Sequence, residues 1–147
     1  MEIISKSASQ TERIGEELVV EILKNAKNNA FVIGLRGDLG GGKTTFLKGL
    51  ARGLGVDGTV LSPTFIIFRR YDIKKGHFKR FYHFDCYRIE SENEMVTLGF
   101  NKIVADSENI VAIEWSERVG RILTDDTLKI DFEFIDEETR KISFDWN

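Results

Sequence analysis

The densest chemical signal in the chain is Gly37-Asp38-Leu39-Gly40-Gly41-Gly42-Lys43-Thr44-Thr45. Gly37, Gly42, Lys43 and Thr44 occupy every fixed position of a phosphate-binding loop. A phosphate needs several backbone amides converging on it, and glycines let the chain curl closely enough to aim them. A helix opening at Lys43 would add its orphan amides and the positive end of its dipole. Lys43 offers a mobile charge to the β- and γ-phosphates. The Thr44 hydroxyl suits a Mg²⁺ ion. Three consecutive glycines before a lysine would be a poor way to build a merely structural turn.

Triphosphate hydrolysis also needs an acid near the metal and a group that positions water. Two apolar runs end in acids: Phe81-Tyr82-His83-Phe84-Asp85 and Ile110-Val111-Ala112-Ile113-Glu114. Either would place a carboxylate at the carboxyl edge of a sheet, where open α/β folds bind ligands. Ser62-Pro63-Thr64 reads as a loop whose hydroxyls could sense a γ-phosphate, or as an ordinary Ser-Pro turn. There is no guanine-reading Asn-Lys-x-Asp, and Asn101-Lys102-Ile103-Val104 lacks the acid, so ATP is favoured over GTP.

The flanking elements must position these groups. Ser9-Gln10-Thr11-Glu12 fits a capping box, and Ile14, Leu18, Ile22 and Ala26 mark one helix face before Asn28 and Asn29. Phe31–Leu35 is a near-continuous apolar run suited to a strand covered on both sides. A second helix is expected from Lys43 to Leu54, with Phe46, Leu47, Leu50 and Leu54 inward. Phe65–Ile73 and Phe78–Asp85 read as a hairpin around Lys74-Lys75-Gly76. Ser91-Glu92-Asn93-Glu94 opens a short helix through about Leu98. Ile110–Ile113 is a buried strand, and Leu128–Ile135 with Arg140–Trp146 forms a closing hairpin. The expected class is α/β: a three-layer sandwich like that of P-loop NTPases, with a mixed sheet, antiparallel hairpins and flanking helices.

Length and composition agree. The chain has 147 residues, 41% of them hydrophobic and 11 of them Phe, which predicts one domain over 1–147 and argues against disorder. One Cys excludes a disulfide framework or a cysteine-rich zinc site. Cys86 reads as a small buried hydrophobe. His83 reads as a packed or hydrogen-bonded strand residue, and His77 lies near a turn. No run is long and apolar enough for a membrane span, and the N-terminus lacks a basic-then-apolar secretion signal. A cytoplasmic protein is expected. The net charge of −3 argues against an overall basic, nucleic-acid-gripping surface. Charge is segregated, however: Arg69, Arg70, Lys74, Lys75, Lys79 and Arg80 accompany only Asp72, whereas residues 125–147 are strongly acidic.

The order Gly-Asp-Leu-Gly-x-Gly-Lys-Thr-Thr, Ser-Pro-Thr-Phe, His-Phe-Asp-x-Tyr-Arg and Ile-Glu-Trp-Ser-Glu resembles the TsaE (YjeE) family of small bacterial P-loop ATPases. The resemblance runs from Thr11 to about Arg118. It implies a weak, Mg²⁺-dependent ATPase that assists the TsaD and TsaB proteins in forming threonylcarbamoyladenosine beside the tRNA anticodon, with TsaD making the transfer. It implies that Asp38, Leu39, Gly40, Gly41, Gly42, Lys43, Thr44 and Thr45 hold the phosphates. Thr44 and Glu114 would serve the metal, Asp85 would act in catalysis with Lys43, and Thr64 would be the switch-like threonine. Thr11 would lie near the base and Trp115 beside the site, while Arg88 matches the arginine of its block. Gly41 stands where the family usually has Ala, and Cys86 where it has Leu.

Two other classes stay open on the residues alone. One is a small P-loop phosphotransferase, which normally needs a lid with arginines that this chain does not display. The other is a nucleotide-dependent binding switch without useful hydrolysis. The basic stretch 69–80 allows three roles: tRNA phosphate contact, docking on a partner protein, or a charged edge that discourages sheet-to-sheet pairing.

Overall fold

The apolar run beginning at Phe31 is the central strand of a seven-stranded sheet. The computed structural model describes residues 1–25, 28–37, 40–56 and 67–146. Its strands are β1 (Glu2–Ser5), β2 (Phe31–Gly37), β3 (Phe68–Lys75), β4 (Phe78–Asp85), β5 (Asn109–Glu114), β6 (Leu128–Phe134) and β7 (Arg140–Asp145), in the order β1-β7-β6-β2-β5-β4-β3. The four central strands β6, β2, β5 and β4 are parallel. The antiparallel pairs β1–β7, β6–β7 and β3–β4 complete the two flanks. The mixed α/β sheet expected from the sequence is the sheet observed.

Alternation along β5 shows how the layers are made. Ile110 and Ala112 face the helices α1 (Ala8–Leu23) and α2 (Lys43–Gly53), together with Ile14, Leu18, Phe46 and Leu50. Val111 and Ile113 face the opposite side, where Met95 of α3 (Asn93–Thr97) and Phe100 of α4 (Phe100–Ala105) cover them. All of these are buried, which is why the central strands lack the polar alternation of a half-exposed sheet. The two long helices touch closely. A Cβ at Gly49 would overlap the carbonyl oxygen of Glu12, so only glycine permits this approach.

Several boundaries differ from the sequence expectation. The first helix is capped by Ser7, not Ser9: the Ser7 hydroxyl accepts from the Gln10 amide at 3.0 Å, and Gln10 Oε1 accepts from the Lys6 amide at 2.8 Å. Ser7 and Gln10 themselves form a Ser-x-x-Gln capping-box pattern two residues upstream of the expected one, so the cap is local. Strand β1, absent from the sequence expectation, leads into it, and Ser5 Oγ donates to the Ser7 carbonyl at 3.0 Å. The helix ends at Leu23, well before Asn28, and Ala26 lies outside the described residues. Strand β3 runs on to Lys75, which pairs with Phe78 beyond a register shift between Asp72 and Lys75, while Phe65 lies outside the described residues. Helix α4 and the 3₁₀ segment Ser116–Ile122 were also not anticipated.

Candidate functional site

Strand β2 ends at Gly37 and helix α2 begins at Lys43, so the glycine-rich stretch joins a central strand to a helix N-terminus. Gly37 has φ +124, and a Cβ there would overlap the backbone of Phe132 on β6. Glycine is therefore required at the point where the chain leaves the sheet. Asp38 and Leu39 lie outside the described residues, as does Thr64 of the expected switch loop.

A cleft of about 440 Å³ opens above this junction. That is within the ordinary range for a small-ligand pocket, roughly 300–1,000 Å³. Gly40, Gly41, Gly42, Lys43, Thr44 and Thr45 form its floor, and Thr11 and Trp115 stand at its sides. Lys43 is buried; its Nζ donates to the Gly37 carbonyl at 2.6 Å and lies 4.2 Å from the centroid of the Trp115 ring. Trp115 adopts φ +58, uncommon for an aromatic residue, and turns the chain from β5 into the 3₁₀ segment while its indole lines the cleft. The Thr11 hydroxyl is not aimed at the cleft as a lone donor. It is 2.7 Å from Ser5 Oγ, whose own hydrogen goes to Ser7, so Thr11 donates to Ser5. Its methyl group comes near Gly42.

The two strand-end acids meet at one edge. Asp85 of β4 and Glu114 of β5 share a register row, and both line the cleft. Asp85 is half-buried, with Oδ1 accepting from the Tyr87 amide at 3.0 Å. Burial holds its carboxyl above the usual aspartate range, opposed by that amide bond, with the neighbouring Glu114 charge adding to the rise. Glu114 is buried and 2.7 Å from Nε2 of His83. Cys86 is buried against Met95, and burial pushes its thiol up to about 12, as befits a core residue and not a nucleophile.

Several lining residues were missed in the sequence. Glu137, Glu138 and Arg140 come from the β6–β7 hairpin, Ser7 and Ala8 from the start of α1, and Tyr87 from the turn after β4. Arg140 Nε donates to the Gly40 carbonyl at 2.8 Å, tying the closing hairpin to the glycine-rich loop. No local pattern marks an arginine for this contact; it sits in a strand a hundred positions away. Arg88 is exposed and does not line the cleft.

Chemically, the floor can offer amides and an ammonium to an anion. Thr44 of the floor can offer a hydroxyl oxygen, and Glu114 and Asp85 carboxylate oxygens, to a hard cation. No group of three or more His, Cys, Asp or Glu able to hold a metal occurs among the described residues. That donor set fits Mg²⁺, which takes one or two carboxylates and completes its shell with water and substrate phosphates.

Comparison with known proteins agrees with this architecture. The crystal structure of Bacillus subtilis YdiB matches with a TM-score of 0.69 at 26% identity, over 98% of this chain and 83% of that one. A protein of Aquifex aeolicus named tRNA threonylcarbamoyladenosine biosynthesis protein TsaE is 35% identical over 96% of this chain and 92% of its own length. The Haemophilus influenzae protein of the same name is 34% identical, over 85% of this chain and 77% of its own. The sequence model for threonylcarbamoyl adenosine biosynthesis protein TsaE matches residues 5–142, so this chain belongs to the TsaE family.

Proposed function

We propose that this chain is a single-domain, Mg²⁺-dependent ATPase of low intrinsic activity. It serves as a cytoplasmic accessory subunit of the TsaB–TsaD machinery that makes threonylcarbamoyladenosine beside the tRNA anticodon. The observation that carries this reading is convergence. The loop floor with Lys43 and Thr44, and the strand-end acids Asp85 and Glu114, line one cleft although they come from three separate parts of the chain. Family membership supplies the pathway, through the names its relatives carry. No helix among the described residues is long and apolar enough to cross a membrane.

In this reading the loop amides of Gly40–Thr45 and the Lys43 ammonium hold the β- and γ-phosphates, where fixed dipoles stabilise charge that develops on the equatorial oxygens. Thr44 and Glu114 would hold Mg²⁺, which would supply positive charge against the phosphate oxygens. Asp85 accepts the proton of the attacking water as its oxygen bonds to the γ-phosphorus and the bond to the β–γ bridging oxygen breaks, leaving ADP. Its raised proton affinity suits that task, because a base works best when its pKa approaches the operating pH. Trp115 shields the Lys43 ammonium on one side, and Thr11 borders the cleft toward the base.

The test is threonylcarbamoyladenosine yield in a purified system of TsaB, TsaD, tRNA, ATP and activated threonylcarbamoyl donor. Repeated turnover should require this chain and be lost with Lys43→Ala. Yield independent of the chain would refute the assignment. Phosphate transferred to an acceptor instead of water would indicate a phosphotransferase.

A further inference from the structure

His83 is fully buried on β4, and its two ring nitrogens have unequal fates. Nε2 lies 2.7 Å from Glu114 Oε2. Nδ1 is buried with no hydrogen-bond partner. A buried polar atom left unpaired costs on the order of 1–3 kcal/mol, and an apolar side chain would fill the same space without that cost. A role in packing alone therefore does not account for a histidine here.

The geometry does. In the parallel β4–β5 pair His83 is in register with Ala112, and Glu114 lies two residues further along the same face. A carboxylate only accepts hydrogen bonds, so His83 Nε2 is the donor to Glu114 Oε2. Glu114 Oε2 is thereby committed, and Oε1 receives no hydrogen bond from the described residues. With His83 fully buried on β4, its bond fixes one oxygen of the Glu114 carboxylate and leaves Oε1 over. Carboxylates that ligate metals are themselves commonly fixed by a hydrogen bond from behind.

We infer that His83 is a positioning residue that orients the Glu114 carboxylate to present Oε1 to a divalent cation in the cleft. This rests on the reading of Glu114 as a cation ligand. His83 itself is not among the residues that line the cleft.

The test uses Mn²⁺ as probe. Its binding to the whole protein is followed by electron paramagnetic resonance in the presence of a non-hydrolysable ATP analogue. His83→Phe keeps the ring volume without the donor. It should weaken Mn²⁺ binding roughly ten- to hundred-fold, the usual effect of losing such a supporting bond. His83→Gln, which returns an amide donor near the Nε2 position, should recover most of that loss. Analogue affinity without metal should stay unchanged in both. Glu114→Gln separates the two readings. If it loses Mn²⁺ while His83→Phe binds normally, the positioning role is wrong. If Glu114→Gln itself binds Mn²⁺ normally, the metal reading fails and the role of His83 with it. Should His83→Phe not fold, imidazole ¹⁵N shifts of the unaltered protein decide: a proton on Nε2 supports the inference and its absence there overturns it.

Discussion

Asp85 and Glu114 occupy one register row at the carboxyl ends of adjacent parallel strands, yet they are held in opposite ways. Glu114 is buried against His83, and Asp85 is half-buried with a backbone amide on one oxygen. Two acids in one cleft are thus given different environments, the contrast that the proposed roles of cation ligand and base require.

The pH dependence of hydrolysis should report Asp85. Its carboxyl is pushed above the usual range, chiefly by burial, so the acid limb of the rate profile should lie above the ordinary aspartate value of about 3.9. Asp85→Asn should cost roughly 10²–10⁴-fold in rate and abolish that limb while nucleotide still binds. For stability the sign is the reverse of a salt-bridged acid. Between the unfolded value and the raised folded one, the native state binds more protons, so Asp85 makes stability fall as pH rises through that window. Urea melts of wild type and Asp85→Asn across acidic pH would show the difference.

Arg140 should matter to the glycine-rich loop although it lies in the last strand. Its charged bond to the Gly40 carbonyl holds that oxygen, and bonds to charged groups contribute about 1.5–3 kcal/mol. Arg140→Ala should therefore weaken nucleotide binding by about tenfold or more in calorimetry. Unaltered affinity would show that the loop keeps its shape without the hairpin.

Gly49→Ala offers a test of packing. Alanine in a helix interior normally stabilises by roughly 0.5–1 kcal/mol relative to glycine. At Gly49 the added methyl would collide with the Glu12 backbone, and overpacking of this kind costs typically 1–3 kcal/mol. The collision is with backbone, so the loss should be near 3 kcal/mol, or about 6–12 °C in Tm. A rise in Tm would mean that α1 and α2 can separate freely.

The basic stretch is smaller than its sequence suggests. Lys79 pairs with Glu108 at 2.8 Å and Arg80 with Asp106 at 2.8 Å; the other four, Arg69, Arg70, Lys74 and Lys75, lie along β3, an edge strand of the sheet, where Arg70 is 3.9 Å from Asp72. Reversing these four charges should weaken binding to the assembled TsaB–TsaD–tRNA complex, and that binding should fall steeply with salt. Reversing Lys79 alone should have little effect. Binding indifferent to the four reversals at low salt would leave β3 as a merely protected edge.

Short-range signals were legible in the chain because the chemistry that makes them is itself short-range. The floor of the cleft was readable since Gly42, Lys43 and Thr44 must be consecutive to bring a tight turn, a charge and a hydroxyl to one helix start. Strands β2 and β5 were readable since burial on both faces demands an unbroken apolar run. Identifying the family was possible because four such local blocks occur in a set order. Tertiary structure alone decided the rest. Strand β1 has four residues, too few for periodicity to show, and it exists only through its antiparallel pairing with β7 at the far end of the chain. Arg140 on the Gly40 carbonyl and His83 on Glu114 join residues 100 and 31 positions apart. Such contacts depend on which strands lie side by side and which face each residue occupies, and sheet order is a global outcome of packing that no local pattern encodes.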